Sequence, residues 1–420
     1  MKKLLSILVI LSLLVTPMLG MAEDKVTIKF ANYAILEAGY TEFWENVEKN
    51  FEAANPNIDI EYVTAPYGDI LTTVINMAGG GERVDLVFGE IGWVPTAEDA
   101  GLSVPVTDIL SEDYLADFYP AVLENFKVNG ELYGLPTYIS PYVLYYNKDI
   151  FTAAGLDPNT PPTTYDEMLE MAAKIDGLTT ADGNKIYAFG QTTASVPVSG
   201  SSLTAFIYNF GGDVLTADGA LSIDNEGFKQ AIEMVKLLDD KGYNPQNAKL
   251  KDLRNLFALG QLAMYYDQSW GFNGVNSINP EAVNFTASAA PLKGGAGTGE
   301  SILQSHCLLF TSLDTAKYEA IQKLTAFLIS EETLGDYLTK ITPAYPATLS
   351  MSGMEAIANS NVLKGASGAI SNVKVVPAIA RLGDLNLELC TLAQAVTISD
   401  TPVDEAIEAF RTTMEAILAE

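Results

Sequence analysis

"PTYISPYVLYYNKDIF" (136–151) carries tyrosines at 138, 142, 145 and 146 within one short, strand-like run. Core packing alone would be met by Phe, Leu or Val. Tyrosine is preferred where a flat apolar face and a hydroxyl are both needed, as at interfaces and wet clefts. After eleven more residues comes "TTYDEMLEMAAKI" (163–175), where Thr164 and Glu167 have the spacing of a capping box behind Pro161-Pro162. A strand followed by a capped helix is an α/β signature.

The same alternation holds upstream. "VTIKFANY" reads as a strand, and "TEFWENVEKNFEAAN" places Trp44, Val47, Phe51 and Ala54 on one helical face before Asn55-Pro56. In "IDIEYV", Ile58, Ile60 and Tyr62 share one side of a strand. Asp69 is placed to cap "ILTTVINMA", which runs into three glycines, and "VDLVFGE" is the next strand. Downstream, helices are expected at 226–239, 251–259 and 314–330. The second stops at Gly260 before the strand "LAMYYD", and the third has Asp314 as its cap and Ile321, Leu324 and Phe327 inward. Strands separated by helices of about ten residues indicate βαβ units and a largely parallel sheet.

At 420 residues the chain is long enough for two domains. Residues 1–22 stand apart: Lys2 and Lys3, an apolar run from Leu4 to Val15, Pro17, then Gly20 and Ala22 form a secretory signal. The apolar run is too short for a membrane span, which needs about 20 residues. Cleavage near Ala22 would release a soluble chain, periplasmic or extracellular. No cysteine adjoins the cleavage site, so no lipid anchor is expected. Loss of two lysines and no acid takes the net charge from −29 to −31. A field of that sign repels phosphate backbones and anionic lipids, which excludes nucleic acid as a partner. It suits solubility, and it equally suits a cationic ligand such as a polyamine.

Catalytic motifs are missing. The single histidine, His306 in "SILQSHCLLF", has no nucleophile elbow beside it, and Cys307 next to it faces the opposite side of a strand. A packed structural histidine is the simpler reading. "GGAGTGE" (294–300) lacks the Lys-Ser/Thr ending and following helix of a phosphate loop, and reads as a flexible surface turn. Neither a multi-histidine zinc site nor a calcium loop is present, and no cofactor is implied. Cys307 and Cys390 match no metal or redox spacing; a disulfide and two buried thiols both remain open. An acidic pair for glycoside hydrolysis also stays open, since 53 carboxylates make chance pairs plentiful.

Taken in order, "FEAANPNIDIEYV", "VDLVFGEIGW", "GLSVPVTDIL", "VNGELYGLPTYISPYVLYYNKDIFTAAGLDPNTPPTTYDEM", "FALGQLAMYYDQSWG", "APLKGG", "YEAIQKLTAFLIS", "TPAYPA" and "VDEAIEAF" resemble the extracellular solute-binding proteins of ABC importers. Within these, the resemblance is to the carbohydrate-binding group that includes maltose-binding protein. It covers essentially the whole chain after the signal. It implies an α/β, two-lobed periplasmic-binding-protein fold, with mostly parallel central sheets, a multi-strand hinge and a ligand cleft between the lobes. The implied lobes are 23–133 with 287–335, and 134–286 with 336–420. The implied partners are a small neutral solute, most simply a mono- or oligosaccharide, and the transmembrane subunits of an importer; the implied state is a monomer without enzymatic activity.

The resemblance places one or two of the four rings at the ligand, Tyr138 first, and the others among Tyr142, Tyr145 and Tyr146 in core or hinge, mostly under helices. Trp270 matches the position where relatives stack a sugar ring. Trp93 either stacks on ligand or caps the sheet, while Trp44 is core. Glu90, at a strand end where open α/β sheets hold ligands, and Asp267 are candidates for sugar hydroxyls. Tyr67 lines the rim and Glu37 follows the first strand. Arg381 either enters the cleft or forms a surface salt bridge. Maltose-binding relatives carry a further tryptophan late in the chain that "ARLGDLNLE" lacks, which favours a smaller or differently shaped solute over a long maltodextrin.

Overall fold

The structure is a computed structural model describing residues 25–37, 39–377, 379 and 381–419. The signal segment 1–22 lies outside the described residues. Strands β1 (Val26–Asn32), β2 (Ile58–Val63), β3 (Leu86–Glu90) and β4 (Gly134–Ile139) belong to one six-stranded sheet. β8 (Ser305–Phe310) and β9 (Tyr345–Pro346) complete it, in the spatial order β9-β4-β8-β3-β1-β2. A three-stranded sheet has β5 (Tyr142–Asn147) at its centre, between β6 (Met264–Gln268) and β7 (Thr286–Ala289).

The expected parallel pairing holds for β1 with β2 and β3, which α1 (Thr41–Ala54) and α2 (Ile70–Gly79) connect. Elsewhere the expectation of mostly parallel sheets is corrected. β8 runs antiparallel to both β3 and β4, β9 runs antiparallel to β4, and both neighbours of β5 are antiparallel to it. The reason is topological: β8 and β9 are late strands that reach the first sheet after excursions of the chain, without a βαβ crossover to force parallel entry.

Trp44, Val47 and Phe51 bury the inner face of α1 as the spacing predicts, but Ala54 is exposed because the helix ends there and Asn55 turns the chain away. Asp69 occupies the first position before α2 yet makes no side-chain cap; its carbonyl accepts from Thr73 instead. Thr164 does cap α3 (Tyr165–Ile175), accepting from the Glu167 amide at 3.2 Å, while Glu167 reaches back to the Thr163 amide at 2.7 Å. α4 (Pro197–Asn209), α5 (Glu226–Asp240), α8 (Leu382–Thr397) and α9 (Val403–Leu418) pack with one face of β5. α6 (Leu250–Ala258) lies with the other, and α7 (Tyr318–Leu328) joins the first sheet. Gly260 ends α6 at φ +69°, a left-handed position that glycine fills without steric cost. The "GGAGTGE" turn is packed more closely than its composition suggests: a Cβ at Gly297 would fall 2.3 Å from the Asn209 carbonyl at the end of α4.

β5 divides its side chains strictly. Tyr142, Leu144 and Tyr146 enter the core beneath α4, α5 and α8, whereas Val143 and Tyr145 enter a core continuous with the six-stranded sheet. Both cysteines are free and buried, Cys307 in β8 and Cys390 in α8. The chain passes between the two sheets at Ser140-Pro141 and again between β7 and β8. Its third passage is over 347–360, since Asn361 and Gly365 bond to Ser288 of β7. A short parallel pair, Ser301–Ile302 with Val373–Lys374, lies in this crossing region.

Candidate ligand-binding site

Two chambers of about 440 and 410 Å³ open between the sheets and share Trp270 and His306 in their walls. The pleat of the six-stranded sheet explains the second of these. β8 lies between β3 and β4, with His306 in register with Glu90 on one side and Tyr138 on the other. The imidazole is stacked between Phe88 (5.4 Å, 16°) and Tyr138 (5.0 Å, 27°). Its Nε2 bonds the Tyr33 hydroxyl at 2.5 Å, and Nδ1 is buried with no protein partner among the described residues. Burial pulls the imidazole down to about 4, so His306 is neutral at physiological pH.

Trp270 is presented from the other sheet, in the turn that follows β6. Its amide bonds Ser140 Oγ at 3.3 Å, and Ser140 Oγ bonds Ser269 Oγ at 2.8 Å. The indole meets the His306 ring edge-on at 5.8 Å. Together these two rings partition the cleft.

The larger chamber is bounded by Tyr67 from a loop of the first sheet, Glu90 at the end of β3, Gln304 and Ser305 at the start of β8, and Ser201 and Asn386 from α4 and α8. Glu90 accepts hydrogen bonds from Tyr67 and Trp93, while burial raises its carboxyl above the usual range. Tyr67 is 42% exposed at the rim and lies edge-on to Tyr33 at 5.0 Å. The smaller chamber is tyrosine-rich: Tyr33, Tyr40, Tyr138 and Tyr337 line it with Arg254, Asn273, Thr342 and the exposed Glu37. Tyr138 is 2% exposed, and its hydroxyl lies 3.4 Å from that of Tyr337.

Of the eight residues expected at the ligand, the structure brings Glu37, Tyr67, Glu90, Tyr138 and Trp270 to the chamber walls. Trp93 stands one layer back, against Tyr33 (5.9 Å) and Tyr67 (5.4 Å), bonded to Glu90. Asp267 is corrected. It is fully buried, and both carboxylate oxygens are taken by Arg254, at 2.6 Å from Nε and 2.8 Å from the terminal nitrogen. It holds Arg254 in the wall and does not itself reach the cavity. Arg381 forms an ion pair with Asp384 at 3.3 Å and is absent from both chamber linings, the surface-bridge alternative. His306, Arg254, Tyr33, Tyr40 and Tyr337 were not foreseen in the wall. Only His306 carried a signal, as the sole histidine on an otherwise apolar strand.

This geometry is a solute cleft: two sheets, three chain crossings, and paired chambers of aromatic and polar side chains where the sheets face each other. Residues 47–364 match the family model of the bacterial extracellular solute-binding proteins. The chain belongs to that family. As a solute-binding protein it is 27% identical, over 256 residues, to a putative binding protein of Brucella abortus, and the match covers 60% of each chain. It is 26% identical over 237 residues to the sn-glycerol-3-phosphate-binding periplasmic protein of the same organism, covering 54% of this chain and 53% of that one. The chain thus spans about 60% or less of the curated relatives named here. Among solved structures, it resembles the cyclic α-maltosyl-1,6-maltose binding protein of Arthrobacter globiformis (20% identity, TM-score 0.77, 94% of this chain and 99% of that one). It also resembles a Thermotoga lettingae solute-binding protein bound with α-D-tagatose (23% identity, TM-score 0.70, 94% and 100%). These likenesses establish the two-lobed α/β fold. No helix among the described residues is long and apolar enough to cross a membrane.

Proposed function

We propose that this chain is the secreted solute-binding component of an ABC importer. Its two lobes close on a polyhydroxylated solute, a mono- or oligosaccharide, and present it to the membrane permease. The observation that carries this reading is the pair of chambers meeting at Trp270 and His306. Aromatic faces suit the C–H surface of a sugar ring, and each neutral hydrogen bond to its hydroxyls adds about 0.5–1.5 kcal/mol. Closure follows because only a ligand touching both lobes binds the closed state better. The lobes are best divided at the three crossings, so that β4 and β9 stay with the first sheet although the resemblance had placed them in the second lobe.

Solved neighbours described with maltose, tagatose and ribitol support a polyol. A phosphorylated one is disfavoured: among the described residues Arg254 is the sole cation in the chamber walls, and Asp267 already engages it twice. The test is a thermal-shift screen of residues 23–420 against sugars, polyols, sn-glycerol 3-phosphate and spermidine. A ligand at about 100 times its Kd adds about 2.7 kcal/mol, a shift of a few degrees. Trp270→Ala should abolish the shift while keeping the unliganded melting temperature. A shift with the phosphate ester alone, or turnover of a glycoside, overturns the proposal.

A further inference from the structure

Among the described residues, Glu90 is the one charged side chain in the wall of the larger chamber. Its carboxylate closes β3 at the chamber wall and takes hydrogen bonds from Tyr67 and Trp93, both neutral donors. None of the ion pairs among the described residues includes it. The residue opposite it in the sheet, His306, is a neutral imidazole bonded to Tyr33. Arg254, the cation of the other chamber, is committed to Asp267. Among the described residues, the larger chamber therefore holds a half-buried negative charge without a counter-charge, beside the rings of Tyr67 and Trp270. Removing a carboxylate from water in this way is costly unless a partner restores the lost interaction.

Sugar hydroxyls can donate to this carboxylate, and Ser201, Gln304, Ser305 and Asn386 in the same wall offer them neutral partners as well. A cation gains twice, by Coulomb attraction to the carboxylate in a site shielded from water and by attraction to the aromatic faces. The acidic chain adds long-range attraction of the same sign. We infer that Glu90 is a seat for a protonated amine. The preferred solute is an amino sugar or amino-polyol, its ammonium on Glu90 and its hydroxylated remainder running past Trp270 into the tyrosine-lined chamber. This rests on the sugar-binding reading above and narrows it to one chemical class.

The experiment is calorimetric titration of residues 23–420 at pH 6.5 with two matched series. One is glucosamine, N-acetylglucosamine and glucose; the other is the glucosamine disaccharide, its di-N-acetyl form and cellobiose. In at least one series the amine should bind about tenfold or more tighter than both neutral members. Glu90→Gln should close that gap, and Glu90→Asp, which keeps the charge, should retain part of it. Each variant's melting curve reports that it is folded. Neutral members binding as tightly as the amine, or a gap that survives Glu90→Gln, overturns the amine seat and leaves the sugar reading intact. Spermidine binding that Glu90→Gln abolishes, with no sugar bound, supports the amine seat and overturns the sugar. Silence across both series and spermidine overturns both.

Discussion

Tyr138 and Tyr145 stand seven residues apart on consecutive strands, and both are almost wholly buried. Their surroundings differ in kind. Tyr138 belongs to the six-stranded sheet, stacks on His306, and holds its hydroxyl 3.4 Å from Tyr337 at a chamber wall. Tyr145 belongs to the small sheet, stacks on Tyr265 at 5.5 Å, and donates to the Ser269 carbonyl at 2.9 Å. Two residues, Ser140-Pro141, separate the strands and send them into different sheets. Burial alone therefore says nothing of role; what matters is whether a ring ends against framework or against space for a solute.

The hardest test of that distinction falls on the framework behind the cleft. Asp267→Ala strips Arg254 of both its carboxylate contacts in a largely buried setting. It should cost about 3 kcal/mol, as removing one partner of a buried pair does. Urea denaturation checks this; an unchanged midpoint would mean that the pair does not support the wall. His306 provides an effect of similar size, and its sign follows from its lowered pKa. The unfolded chain takes up a proton near pH 6.5 and the folded one only near 4, so this histidine's contribution is intact above 6.5 and lost as pH falls towards 4. With 1.36 kcal/mol per pKa unit, the loss is about 3 kcal/mol. His306→Phe, which preserves the stack between Phe88 and Tyr138, should flatten that part of the stability–pH curve. If wild type and variant keep parallel curves, the imidazole is not desolvated as its position requires.

The smallest effect separates the two tyrosines directly. Tyr145→Phe should lose about 1 kcal/mol of stability, the worth of a buried hydrogen bond, with solute affinity unchanged. Tyr138→Phe should change stability by less than that and weaken solute binding instead. The reverse pattern would break the comparison.

The framework was far more legible in the sequence than the site. Helical spacing at Trp44, Val47 and Phe51, and the Thr164–Glu167 cap, are local signals, and local chemistry realises them. Strand partners are not local. β4 and β5 are both buried throughout, so neither shows the alternation that would mark a solvent face, and nothing in either run tells which sheet it joins. The wall shows the same limit more sharply: Tyr33 and His306 touch across 273 positions. Asp267 misled because an acid near a cleft tryptophan looks available to ligand. Its partner, Arg254, lies thirteen residues earlier on α6 and appears in no motif.

Ser140 has a mechanical consequence. Its amide bonds the Gln304 carbonyl at 2.7 Å, and its hydroxyl takes the amide of Trp270. Two of the chain's crossings and the ring that partitions the cleft are thus pinned to one residue. The indole sits at this junction, while Tyr67 sits at the exposed rim. If the lobes close as proposed, Trp270 emission reads that junction directly.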